Sequence, residues 1–198
     1  MVTSNSFSTR NLVLLAFFTT IVIVIQLLGS FIRFGVFSIS LVLMPIVVGA
    51  ALLGVFAGAW LGMVFGFVVL ISGDANFFIA YNPTATVFLV IFKGAAAGFL
   101  AGVVYTVLEK KNKTLAAITA AVICPVVNTG IFIAGCYIFF LPLVSERSAA
   151  EGAANVTEFI FLGMAGGNFL FELSVNLVLS STIVRLIQYK TDKKLQLQ

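Results

Sequence analysis

The chain of 198 residues is 61% hydrophobic and only 9% charged, against roughly 25% charge in soluble domains, so it cannot cover a globular surface with polar side chains. It contains no histidine, which removes the commonest base and metal ligand at neutral pH and with them most zinc-site and Ser-His chemistry. Its net charge of +4 reads as a membrane-topology signal, not a nucleic-acid footprint.

Several apolar runs exceed 18 residues, the length that crosses a bilayer core as a helix. They predict an all-α, polytopic membrane protein, a single domain over residues 1–198 with six transmembrane helices. The first span covers about 11–29. Only Arg10 precedes it among basic residues, and the residues GSFIRFG that follow show no small-x-small cleavage pattern, so it reads as an uncleaved span. The second, about 40–53, is entered by SISLVLMP and is short for a full crossing. It is therefore tilted, broken near Pro45 or extended backwards. The third follows at about 55–73, the fourth at 84–108, the fifth at 115–143 and the sixth at 157–188. Cys124 and Cys136 fall in the fifth run, ~18 Å apart along a helix. That is too far for a disulfide, and both read as core residues.

The loops alternate in charge. Arg10, Lys110, Lys111, Lys113, Arg185, Lys190, Lys193 and Lys194 fall on one side of a six-span count, eight of the eleven basic residues. The positive-inside rule puts both termini in the cytoplasm. The opposite loops, SFIRFGVFSIS, GDANFFIAYNPTA and SERSAAEGAANV, are long and suit a site that opens outward.

Two small-residue ladders stand at spacing four: Gly58, Gly62 and Gly66 in span three, and Gly94, Gly98 and Gly102 in span four. Each is a flat stripe down one helix face, fit for close backbone approach in lipid. The stripes either pack on each other or offer Gly58 and Gly62 as a docking face for another membrane subunit.

A polar layer lies inside the apolar runs. Counted from the outer ends at the rise of a helix, Lys93 is ~12 Å deep, Asn168 ~16 Å, Asn128 ~22 Å and Glu172 ~22 Å. Polar groups at such depth face the bundle interior and mark a substrate pathway or an internal pair. Lys93 either pairs with Glu172 or Glu158, snorkels outward, or contacts an anionic or carbonyl-bearing ligand. Asn128 follows Pro125 in CPVVNTG, where a proline frees a backbone carbonyl, as in the sites of transport proteins. Tyr81, Asn82 and Arg33 of the outer loops complete the candidate substrate-binding set. No cofactor or metal site is expected. No segment resembles a nucleotide site, so active transport would need another subunit for its energy.

The stretches LVLMPIVVGAALLGVFAGAWLGMVFGFVV, NPTATVFLVIFKGAAAGFLAGVVY, EKKNK and CPVVNTGIFIAGC resemble the substrate-binding S component of energy-coupling factor (ECF) vitamin transporters. The resemblance covers roughly residues 11–188. It implies a non-enzymatic, multi-pass protein of a bacterial cell membrane that binds a vitamin or vitamin precursor near the outer face. It also implies two kinds of partner in the lipid bilayer's company: a transmembrane coupling protein, and two cytoplasmic ATPases that drive release inside. In the family the first helix commonly docks the coupling protein through alanines at spacing four. Here that pattern is met only by Ala16 and Thr20, with Val24 next. A pocket lysine suits a carboxylated vitamin, pantothenate first, with folate or niacin behind it. The single tryptophan, Trp60, speaks against a tryptophan-lined pocket of the thiamine kind. The alternatives are a small membrane enzyme acting on lipid, or an assembly protein that acts without transport.

Overall fold

The computed structural model describes residues 9–31, 33–34, 37–38, 41–180 and 182–184, with backbone only at 33–34 and 37–38. The first helix, α1 (Thr9–Gly29), leads into a two-residue antiparallel ribbon of β1 (Arg33–Phe34) and β2 (Phe37–Ser38). Then come α2 (Leu43–Leu53), α3 (Val55–Ser72), the short α4 (Asn76–Ile79), α5 (Pro83–Glu109), α6 (Lys113–Phe139) and α7 (Leu141–Ala150). A C-terminal helix, Val156–Val184, completes the described chain. Five of these helices are long and apolar enough to cross a membrane.

The expected second span is the exception. α2 has 11 residues, roughly 16 Å of helix at 1.5 Å per residue. Pro45 does not break it, because it sits in the first turn, where its missing N–H leaves no bond unmade. The helix stops instead at Gly54, whose φ of 96° lies in the left-handed region open to glycine. That one residue turns the chain directly into α3.

Helix starts follow from local chemistry. Asn82 and Asn112 cap α5 and α6, accepting from the backbone N–H groups of Ala85 at 3.1 Å and Leu115 at 3.0 Å, and Asn155 caps the C-terminal helix through Glu158 at 2.7 Å. These caps satisfy N–H groups that a helix leaves orphaned. The fifth span ends at Phe139, four residues short of the expected 143. Phe140 departs from helical geometry and Pro142 opens α7, so part of the expected outer loop is itself helical. The C-terminal helix is π-helical over Phe159–Gly166 and Asn176–Ser180, with α-helix over Gly167–Val175 between them.

The two glycine ladders are one interface. A methyl group built on Gly58 or Gly98 would strike the other's carbonyl, and the same holds for Gly62 and Gly94. A Cβ on Gly66 would lie 2.8 Å from Ile91 Cα, and one on Gly102 2.8 Å from Val55 Cα. α3 and α5 thus run antiparallel with their backbones in contact, stabilised by dispersion and weak C–H···O contacts. This corrects the docking expectation for Gly58 and Gly62, whose face is occupied within the chain. α5 also packs on α6, where Gly135 lies against Leu89, and Ala97, Ala101, Ala116, Ala117, Ala120 and Ala121 of the two helices are all buried. Phe31, Phe56, Ile71 and Leu162 are largely exposed, an apolar outer surface suited to lipid.

Candidate functional site

The packing opens at the end of the bundle that carries the 73–82 and 140–155 connections. A cavity of about 90 Å3 lies there, lined by residues from α1, the 73–82 connection, α3, α5, α6 and the C-terminal helix. Its polar lining comprises Gln26, Asp74, Lys93, Asn128, Thr129, Asn168 and Glu172. Four of the residues singled out in the sequence are therefore brought together: Lys93, Asn128, Asn168 and Glu172.

Lys93 lies ten residues into α5, roughly 15 Å along it. Asn128 lies eleven residues from the end of α6, roughly 16 Å. The break at Phe140 thus makes Asn128 shallower than a helix running to 143 would, and sets it nearly level with Lys93. The lysine's Nζ stands 5.5 Å from the ring centre of Phe65 and 5.8 Å from that of Phe132, within the range of cation–π attraction. No carboxylate oxygen among the described residues comes within the 4.0 Å of an ion pair with it. It also makes no hydrogen bond to any described residue. The expected pairing with Glu172 or Glu158 is not formed as a contact, although Glu172 and Asp74 both act on Lys93 through space.

The carboxylates are held by amides. Asn168 Nδ2 donates to Glu172 Oε1 at 3.0 Å, and Gln26 Nε2 donates to Asp74 Oδ2 at 2.8 Å, where Ser72 Oγ also donates at 3.1 Å. Four buried oxygens, Gln26 Oε1, Asn128 Oδ1, Asn168 Oδ1 and Glu172 Oε2, accept no hydrogen bond from the described residues. A buried acceptor left unmet typically costs about 1–3 kcal/mol. Four at one cavity set it apart from the rest of the described interior.

The remaining candidates stand apart. Asn82 spends its side chain on the α5 cap, and Tyr81 lies at the surface with its ring 6.4 Å from that of Phe140. Neither lines the cavity. The side chain of Arg33 lies outside the described residues. Ala16 and Thr20 occupy an exposed face of α1, with Thr20 Oγ1 donating to the Ala16 carbonyl at 3.0 Å.

Sequence reasoning passed over Gln26 and Asp74. The signal for Gln26 was available: it is the one polar side chain in IVIVIQLL, and it is 2% exposed. Asp74 looked like an ordinary loop residue, and only the turn after α3 brings it under Gln26. A spacing-four track was also passed over. Below Glu172, Asn176 Nδ2 donates to the Glu172 carbonyl at 3.0 Å, and Ser180 Oγ donates to Asn176 Oδ1 at 3.2 Å. Asn168, Glu172, Asn176 and Ser180 thus form one polar stripe down the C-terminal helix.

An apolar helical bundle with a charged, amide-lined cavity at one end has the make-up of a multi-pass membrane protein. The sequence matches the family described as ECF transporter, substrate-specific component, over residues 10–187, and the chain belongs to that family. Neither the curated proteins nor the solved structures contain a match. Members of the family are transporter subunits that bind a small-molecule substrate and work with an ECF module.

Proposed function

We propose that this chain captures a vitamin or vitamin precursor from the outer side of the cell membrane in the cavity around Lys93, and releases it inside after docking to an ATPase-driven coupling module. In this reading the short α2 with its flanking ribbon counts as a sixth membrane segment, and both termini are cytoplasmic. The basic bias supports that orientation. Lys110, Lys111 and Lys113 fall at the end of the bundle opposite the cavity, so the cavity opens outward. The exposed Ala16–Thr20 face of α1 is the docking surface. Pantothenate is the first candidate, since its carboxylate would complement Lys93.

One observation carries the reading. A lysine deep in a membrane helix, without an ion-pair partner among the described residues, shares a cavity with four buried acceptors that no described donor reaches. Charged groups at that depth are costly and mark functional sites. The test is uptake of radiolabelled pantothenate, nicotinate and folate into sealed liposomes holding the purified protein, with and without a coupling protein and its ATPases. Accumulation is expected only with the complete module and ATP. Concentration of any of them by the chain alone, without an ion gradient, would refute the assignment.

A further inference from the structure

The proposed site gives Lys93 one end of a small molecule and leaves the opposite wall without a role. That wall presents acceptors, and two of its amides, those of Gln26 and Asn168, are oriented by carboxylates. A carboxylate oxygen of Asp74 and one of Glu172 each accept from a neighbouring amide nitrogen, which turns the carbonyl of that amide away. The amide of Gln26 meets Asp74 at 2.8 Å and that of Asn168 meets Glu172 at 3.0 Å. Their carbonyl oxygens are thereby left without a donor, as are Asn128 Oδ1 and Glu172 Oε2. Burial is nearly complete: Gln26 is 2% exposed, Asn128 5% and Glu172 1%.

Lys93 stands on a different wall. α5 packs on α3 and α6, whereas the C-terminal helix packs on α6 and α2. Asn128, on α6, therefore lies between the elements that carry the cation and the carboxylate. Opposite charges that share one cavity without closing to an ion pair leave room for a molecule carrying the complement of both. A simple anion would satisfy Lys93 but bring a further negative charge toward Glu172. A simple cation would satisfy Glu172 and be repelled by Lys93. Lys93 and Glu172, neither in an ion pair among the described residues, select against each of these.

We infer that the cavity takes a small dipolar solute, with an anionic or carbonyl end on Lys93 and N–H or O–H donors on the acceptor wall of Asn128, Asn168 and Glu172. This rests on the reading of the cavity as the substrate site. It adds that the donor end, not the anionic end alone, decides what is bound.

Isothermal titration of the detergent-solubilised full chain with pantothenate and nicotinate tests it. Both carry a carboxylate, and only pantothenate adds an amide N–H and hydroxyls. Pantothenate is expected to bind at least ~10-fold more tightly, the size of one charge-assisted hydrogen bond. Asn128→Leu removes an acceptor that bonds to no described residue, so it strands nothing. It should weaken pantothenate ~10-fold and leave nicotinate unchanged, with an undiminished melting temperature. If Asn128→Leu fails to fold, Glu172→Gln should weaken pantothenate while nicotinate, relieved of the carboxylate's repulsion, binds as well as to the wild type or more tightly. Equal or tighter binding of nicotinate, or no loss with either variant, overturns the dipolar assignment while the binding role stands. If neither compound binds, thiamine, riboflavin, biotin and folate are titrated. A binder lacking either end overturns the inference, one with both ends supports it, and a chain that binds none of the six has lost the substrate-site reading as well.

Discussion

Helix α5 takes part in two opposite kinds of packing, and the contrast separates scaffold from site. On the α3 side, Gly94 and Gly98 lie against Gly62 and Gly58 with no space for a methyl group. On the cavity side, one residue before Gly94, Lys93 holds a charge between two aromatic rings beside acceptors that no described residue satisfies. The first contact is complete within the chain and has no use for a ligand. The second is left incomplete by the chain. A close glycine seam fixes α5 against α3, and a rigidly held helix can present a costly charge at a set depth.

The largest effect should come from bulk in the seam. Gly98→Leu would drive a side chain into the Gly58 carbonyl, which is backbone and cannot swing aside. Overpacking ordinarily costs ~1–3 kcal/mol, and the loss here should reach or exceed the top of that range. Gly130, on α6, is the matched control, because a Cβ there meets nothing within 4 Å. Gly130→Ala should be neutral or stabilising by up to ~1 kcal/mol through helix propensity. Melting temperatures of the two purified variants check the pair. Equal stability would show that the ladder is not the packing seam.

A smaller effect, confined to binding, is expected on the other face. Lys93→Met removes the charge and keeps the length of the side chain. With no ion pair to break, folding should persist. Loss of a charge-assisted contact typically costs ~1.5–3 kcal/mol, or roughly 10- to 150-fold in affinity. Titration with pantothenate, alongside the melting temperature, reads both quantities. Lost stability with unchanged affinity would return Lys93 to a structural role beside Glu172, and Lys93→Met/Glu172→Gln would then restore the fold.

The same contrast explains what was legible in the sequence. Apolar run lengths matched the long helices to within a few residues at every end that lies in the described residues (the expected end of the sixth at 188 lies outside them), because span length is set by burial in hydrocarbon and needs no tertiary information. The glycine spacing announced a close contact but could not say with what. That depended on the antiparallel register of α3 and α5, which a one-dimensional pattern does not carry. Lys93, Asn128, Asn168 and Glu172 stood out because polarity at depth is costly wherever the helix lies. Gln26 and Asp74 did not, since each is ordinary in its own segment and becomes part of the site only when the turn after α3 brings them within 2.8 Å. The end of the fifth span at Phe139 was hidden by its apolar continuation, which gave no reason to stop before Pro142.

Asn82 and Asn128 sharpen the comparison at its smallest scale, because both are asparagines set apart by the sequence and the structure gives them opposite standing. Asn82 Oδ1 accepts from the Ala85 N–H at 3.1 Å and begins α5. Asn128 Oδ1 accepts from nothing in the described chain. Removing a cap costs about 1 kcal/mol, and that cost belongs to the folded state as a whole. Asn82→Ala should therefore lower the melting temperature by a few degrees and leave affinity for pantothenate within about twofold, ~0.4 kcal/mol at 1.4 kcal/mol per tenfold change. Asp is the discriminating replacement at this position, since its carboxylate caps a helix as well as an amide does. Asn82→Asp should keep the wild-type melting temperature and affinity. If it kept the melting temperature yet lost binding, the amide of Asn82 would be reaching the substrate after all. The boundary between scaffold and site would then have to move outward to the start of α5.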